Sequence, residues 1–263
     1  MHEKLRKSPL TYVLAQIKFN EFLKMDEQIP AIQEAIRDQF SEYKCQEIQS
    51  INIANGTYKC DATKIWHFVD NTFTSAIMVT NNSITFHTSC YISFEDMQNK
   101  LKNALIKFNE IIKNKLYIRI GLRYVNLIHN NIYRALNTEL LGYPLKDSNI
   151  FENTYLAKTE TIQKTKSGTI KVNAMHISSK DIINTDNLYI SPDLSQGARF
   201  LSFAHHKNKT PKKEYVMLDV DHFNEVSGDF TAQQIIKQLN ELHEGSFAAF
   251  RNAIKKETWD KWK

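Results

Sequence analysis

Apolar positions recur along this chain with two different periods, and the switches between them mark out its elements. Residues 11–19 alternate, with Val13, Ala15, Ile17 and Phe19 opposed to Tyr12, Leu14, Gln16 and Lys18, which predicts a strand. The period then lengthens: Asp26 stands as an N-cap before Ile29, Ile32, Ile36 and Phe40, a helical stripe. Four short β segments are expected around 47–58, 63–70, 73–80 and 83–91, separated by Asp61, Asp70-Asn71 and Asn81-Asn82. Asn81-Asn82 between two alternating runs predicts a two-residue hairpin. Ser93 caps a long helix striped by Phe94, Met97, Leu101, Leu105, Phe108 and Ile112.

Residues 116–128 return to the two-residue period. Leu116, Ile118, Ile120, Leu122 and Tyr124 are expected to face a core, with Tyr117, Arg119, Gly121 and Arg123 on the other side. Arg119 and Arg123 lie roughly 13 Å apart along an ideal strand, with bare backbone at Gly121 between them. Two arginines on one face of a strand are either paired within the fold or aimed at an anion. Beyond them a short helix is expected at 132–141, and strands at 150–163, 168–178, 198–206 and 213–223. Thr231, with Gln234 three residues on, opens a last helix carrying Ile235, Leu239, Leu242, Phe247, Phe250 and Ile254. The weakly periodic 179–197 exceeds an ordinary loop.

The order strand, helix, four strands, helix thus occurs twice, which predicts an α+β fold of two β-rich antiparallel halves, each covered by a long helix. We expect the halves at 1–114 and 115–263, joined in one compact unit. The halves share a pattern of elements and no residue-level identity.

At 42% hydrophobic and 24% charged, 263 residues suffice for a sizeable core. A net charge of +5 is mild for a dedicated nucleic-acid binder. Cys45, Cys60 and Cys90 form no CxxC and no even-numbered framework, which fits a reducing cytoplasm. No stretch reads as a leader or as a membrane span. The Walker GxxxxGK(S/T) pattern, GxGxxG, HExxH and GxSxG are all missing, and only seven glycines occur, so a glycine-rich phosphate cradle is not expected.

Asp219 and Asp221 on one strand face suit a hard cation or an acid–base pair. Alternatively, a hairpin between 198–206 and 213–223 sets Arg199 opposite Asp221, leaving Arg119 or Arg123 to engage Asp219. His205 and His206, with Lys207, Lys209, Lys212 and Lys213, form either a basic knob for phosphates or a solvated hairpin tip. His87 beside Ser89 lacks an oxyanion glycine and reads as a surface or half-buried strand residue. His243 reads as a packed helix histidine, and Trp66 as core. Trp259 and Trp262 either anchor a partner or fold back over the sheet.

Ser8-Pro9-Leu10, Tyr91–Phe94, Gly121-Leu122-Arg123-Tyr124-Val125-Asn126 and Leu218-Asp219-Val220-Asp221 recur here in a telling order. With Leu242-His243 and Ile254-Lys255-Lys256-Glu257-Thr258-Trp259, the whole chain resembles a sporadically distributed, functionally uncharacterised prokaryotic family of similar length. Val125 and Leu127 stand where that resemblance leads one to expect other hydrophobic residues. Patchy distribution implies horizontal transfer, and so a role in defence, such as phage defence, or in mobile elements; it supplies no catalytic residue.

The expectation is a cytoplasmic, non-catalytic protein without cofactor. It would bind a protein partner, the product of a neighbouring gene, through the long-loop side of the sheets and the Trp259–Trp262 tail, with Arg119, Arg123, Lys209, Lys212, Lys213, Trp259 and Trp262 as the candidate binding residues. The alternatives are a nucleic-acid binder or metal-dependent nuclease using Arg119, Arg123, Lys209, Lys212 and Lys213 on phosphates with Asp219 and Asp221 on the ion, and a small-ligand protein with a cavity between sheet and helix.

Overall fold

The computed structural model describes residues 5–54, 57–128, 135–137, 156–177 and 215–263. The expected helix at 132–141 and strand at 198–206, the segment 179–197, and His205, His206, Lys207, Lys209, Lys212, Lys213 and Arg199 lie wholly or mostly outside them.

In chain order the strands are β1 (Leu10–Lys18), β2 (Glu42–Ala54), β3 (Thr57–Val69), β4 (Ser75–Thr80), β5 (Ser83–Thr88), β6 (Leu116–Tyr117), β7 (Arg119–Ile128), β8 (Leu156–Thr165), β9 (Gly168–Ile177), β10 (Tyr215–Asn224) and β11 (Gly228–Asp229). Among the described residues the helices are α1 (Met25–Ile36), α2 (Phe94–Ile112), α3 (Ala232–Ala253) and α4 (Lys256–Asp260). Nine strands form one antiparallel sheet in the order β2-β3-β4-β5-β1-β7-β10-β9-β8, and β6 pairs with β11 apart from it. The architecture is therefore mixed helix and sheet around a large antiparallel sheet.

One sheet face carries the apolar alternates. Val13, Ala15 and Ile17 of β1, Phe86 of β5, Ile120 and Leu122 of β7 are buried with Ile29, Ile32 and Ile36 of α1, Leu101, Leu105 and Phe108 of α2, and Leu239 and Leu242 of α3. Each of the valine, isoleucine, leucine and phenylalanine side chains contributes about 1.5–3 kcal/mol through burial. A second cluster holds Val216, Leu218 and Val220 of β10 with Ala253, Ile254 and Trp259. Ser93 caps α2 by accepting from the Asp96 amide, and Thr231 caps α3 by accepting from Gln234.

Several expectations are corrected. Asp26 lies inside α1; the helix begins after Lys24 without a side-chain cap, and the Asp26 carboxylate holds Lys64 instead. Asp61 is within β3 and is not a turn. Ala54 pairs with Thr57, and the sequence between them reads Asn-Gly, the strongest short hairpin signal, which the expectation passed over. The strand expected across 116–128 breaks at Ile118, whose amide donates to the Lys18 carbonyl. Leu116 and Ile118 are consequently exposed at 49% and 38%, while Tyr117 is buried in the core. Both edges of β10 are taken, by β7 and by β9, so no edge is left for the expected Arg199–Asp221 pairing.

Candidate functional site

The sheet face opposite the helix-packed one carries most of the polar side chains singled out above. Register places Leu14, Arg123, Asp221 and Lys171 in one row across β1, β7, β10 and β9, with His87 of β5 at its β5 end. The next row runs Tyr12, Val125, Asp219, Asn173 and Glu160. Arg123 reaches diagonally to Asp219 with two parallel bonds, Nε to Oδ1 at 2.8 Å and Nη2 to Oδ2 at 2.9 Å. The Asp219 side chain is 6% exposed and that of Arg123 32%. Burial opposes the guanidinium's charge, yet the Asp219 hydrogen bonds and the charges of Asp219 and Asp221 prevail and raise its pKa.

Arg119 is spent differently. It lies over Gly121, where an added Cβ would come 3.0 Å from Nη1, and it donates to Gln16 Oε1 at 3.2 Å. Its guanidinium sits 4.5 Å from the centre of the Phe223 ring. The bare backbone at Gly121 is thus the seat of the arginine itself. Lys171, although opposite Asp221, bonds Glu160 at 2.7 Å. Asp221 is left half-buried between two cations that each hold another carboxylate, and no hydrogen bond or ion pair holds it among the described residues. Burial raises its pKa above the usual carboxylate range, against the pull of Arg119 and Arg123.

His87 is fully buried, a correction to its expected half-exposed place; its Nδ1 lies 2.9 Å from the Tyr12 hydroxyl. His243 is stacked on Phe94 with ring centres 3.9 Å apart, and its Nδ1 is 2.7 Å from the Tyr124 hydroxyl. Tyr124 is also bonded to Tyr91, whose hydroxyl is pushed up to about 12 by burial. Trp259 is buried at 3% exposure between Phe247 and Phe250, with Arg251 over its ring. Trp262 stacks on Phe250, and its carbonyl accepts from the Lys7 amide. Trp66 is in the core.

One residue that sequence reasoning passed over is His222, fully buried at the far end of β10. The Leu242 carbonyl, 2.9 Å away, only accepts, which fixes the proton on Nδ1; Nε2 then accepts from the Thr165 hydroxyl at 2.8 Å. Its signal was Gly245, placed a turn beyond Leu242, where a Cβ would lie 2.5 Å from His222 Cε1.

The second feature of interest is an arm. β2 and β3 pair without interruption from Glu42↔Val69 to Ala54↔Thr57, but β3 meets β4 only through Trp66–Val69. From Gln46 and Ile65 outward the hairpin projects beyond the sheet by roughly 30 Å at ~3.3 Å per residue. Its two outer backbone edges, along β2 and along Thr57–Ile65 of β3, have no strand beside them among the described residues.

No family model, no curated protein and no solved structure matches the chain. Among the described residues no three His, Cys, Asp or Glu side chains are grouped to hold a metal ion, and no helix is long and apolar enough to cross a membrane.

Proposed function

We propose that this chain is a non-catalytic protein-binding module of the cytoplasm, and that its partner docks on the β2–β3 hairpin. The observation that carries the reading is the edge of β3 over Thr57–Ile65, which has no strand beside it among the described residues, in the notch where β4 falls away. An isolated two-stranded ribbon is marginal in water, and an open edge offers backbone donors and acceptors to an added strand. The catalytic alternative is less well supported, because Asp219 is already held by Arg123 and Arg119 is stacked on Phe223; the burial of Trp259 in turn removes it from the expected partner-binding tail.

We read the chain as two halves, 1–114 and 115–263, that repeat one pattern and meet along β1 and β7. Supporting this, β5, β4, β3 and β2 extend the sheet outward from β1, as β10, β9 and β8 do from β7. The motif resemblance adds the expectation that the partner is encoded beside this protein in a defence or mobile-element setting.

Co-purification tests the reading. A tagged full-length chain is co-expressed with its genomic neighbours, beside a variant in which an Asn-Gly turn joins Gln46 directly to Ile65, a registered pair. The expected result is a stoichiometric partner retained by the full chain and lost by the shortened one. Retention by both variants, or no partner at all, rejects it.

A further inference from the structure

The other edge of the arm has a different fit. We infer that β2 pairs antiparallel with the β2 of a second copy of this chain, about a two-fold axis through Ile48, joining two sheets into one. This does not rest on the partner reading above, which concerns the edge of β3.

β2 is thirteen residues long, with no proline, no glycine and no slip in its ladder to β3. Residues 41–49 are all exposed, including Tyr43 at 43% and Ile48 at 40%. Natural edge strands of this length are normally shortened, bulged or covered. This one has an unbroken ladder and no strand beside its outer edge among the described residues, and it carries exposed apolar residues at its middle and near its base.

The sequence of the strand selects a second copy as the occupant. Two antiparallel strands related by a two-fold axis set the residue on the axis opposite itself, and residues equally spaced on either side opposite each other. An axis at Ile48, the midpoint of Glu42–Ala54, pairs the whole strand; every other centre pairs fewer residues. In this register Ile48 faces Ile48, Tyr43 faces Ile53, Cys45 faces Ile51, Lys44 faces Asn52 and Glu47 faces Gln49. Apart from Glu42 opposite Ala54, apolar positions meet apolar positions, and no two like charges face each other, the condition for a stable cross-strand set. Centres at Lys44 or Glu47 fail it by placing a charge against itself.

The test is sedimentation of the full-length chain from low micromolar to a few hundred micromolar, with two single-site variants. Wild type is expected to show a concentration-dependent monomer–dimer equilibrium. Ile48→Lys puts two ammonium groups on the axis and is expected to weaken the dimer on the order of tenfold. It leaves the monomer's melting temperature unchanged, since an exposed edge lysine is benign. Ile48→Cys in a Cys45→Ser background places two thiols on directly opposed residues, Cα atoms about 4.5–5.5 Å apart, within disulfide reach. Mild oxidation is expected to give a covalent dimer there, whereas the native Cys45 residues, offset along the strands, do not cross-link. A chain that stays monomeric throughout, a dimer indifferent to Ile48→Lys, or one that cross-links through Cys45 and not through position 48 overturns the inference.

Discussion

Arg123 and Asp219 show how a pair of charges is kept inside a sheet. Both oxygens of the carboxylate are met by the fork of the guanidinium, so neither ion is stranded. Removing either partner breaks the two-pronged pair: Asp219 would lose the cation that holds it, and Arg123 would keep only the unbonded Asp221 opposite it. Arg123→Ala is expected to cost about 3 kcal/mol, the low end for a buried pair because the arginine is 32% exposed, and urea unfolding reads it. Asp219→Asn should cost a similar amount, and the double variant less than the sum, since the second change relieves the first. Asp221 obeys the opposite sign. Its pKa is raised in the fold, so its contribution is intact below the unfolded value near 3.9 and is lost as pH rises through the folded value. Asp221→Asn should therefore raise the urea midpoint at pH 7, and the gain should vanish below about pH 4. An equal gain at both pH values would mean that the carboxylate's charge is not what burdens the fold.

Among the elements, α3 is fastened to the sheet at one polar point as well as along its apolar stripe. His222 of β10 reaches the Leu242 carbonyl and the Thr165 hydroxyl at once, joining helix, central sheet and the β8–β9 turn. That close approach requires Gly245. Alanine there gains up to about 1 kcal/mol of helix propensity but drives a methyl into the imidazole, an overpacking of about 1–3 kcal/mol. Gly245→Ala is thus expected to destabilise the native chain and to stabilise a His222→Ala background, a reversal that a thermal-melt cycle detects. Burial also lowers the His222 pKa, so the stability it lends is complete above about pH 6.5 and declines as pH falls through the folded value. Much at this scale was legible from periodicity: β1, the β4–β5 hairpin, and the Ser93 and Thr231 caps are where alternation and capping rules put them. Misreadings arose where a local signal had a rival. Asp61 looked like a turn, yet Asn55-Gly56 carried the stronger one. Asp26 looked like a cap, yet its carboxylate found Lys64 across the chain. The break at Ile118 had no local signal, because it follows from the hydrogen bond to Lys18 of a distant strand.

At the scale of the whole molecule the described residues divide into a sheet clamped under three long helices and an arm that takes no part in that core. Strand pairing across the sheet was not readable from the sequence, since alternation gives faces and leaves neighbours open. Hence β10 was expected beside 198–206 and stands between β7 and β9. The site residues were recognised as chemistry, Arg123 with a carboxylate among them, while the partner of each was set by that strand order. The arm was invisible for a related reason: a hairpin inside a sheet and one projecting from it have the same alternation. The division predicts how stability is distributed. Trp66 lies at the root of the arm, buried at 2% in the core, and Trp66→Ala is expected to cost about 3–5 kcal/mol. Outward from Gln46 the described side chains of β2 are exposed, so little apolar area is lost when that part is removed. Joining Gln46 to Ile65 through Asn-Gly should leave the melting temperature within a few degrees of the full chain, because a change of about 1 kcal/mol moves a domain of this size by ~2–4 °C. Amide exchange should agree, with 46–54 and 57–65 of the dilute chain exchanging long before β1 and β7. Should the shortened chain instead melt far below the parent, the arm would have to be packed against the body, and its free edges would lose their meaning as docking surfaces.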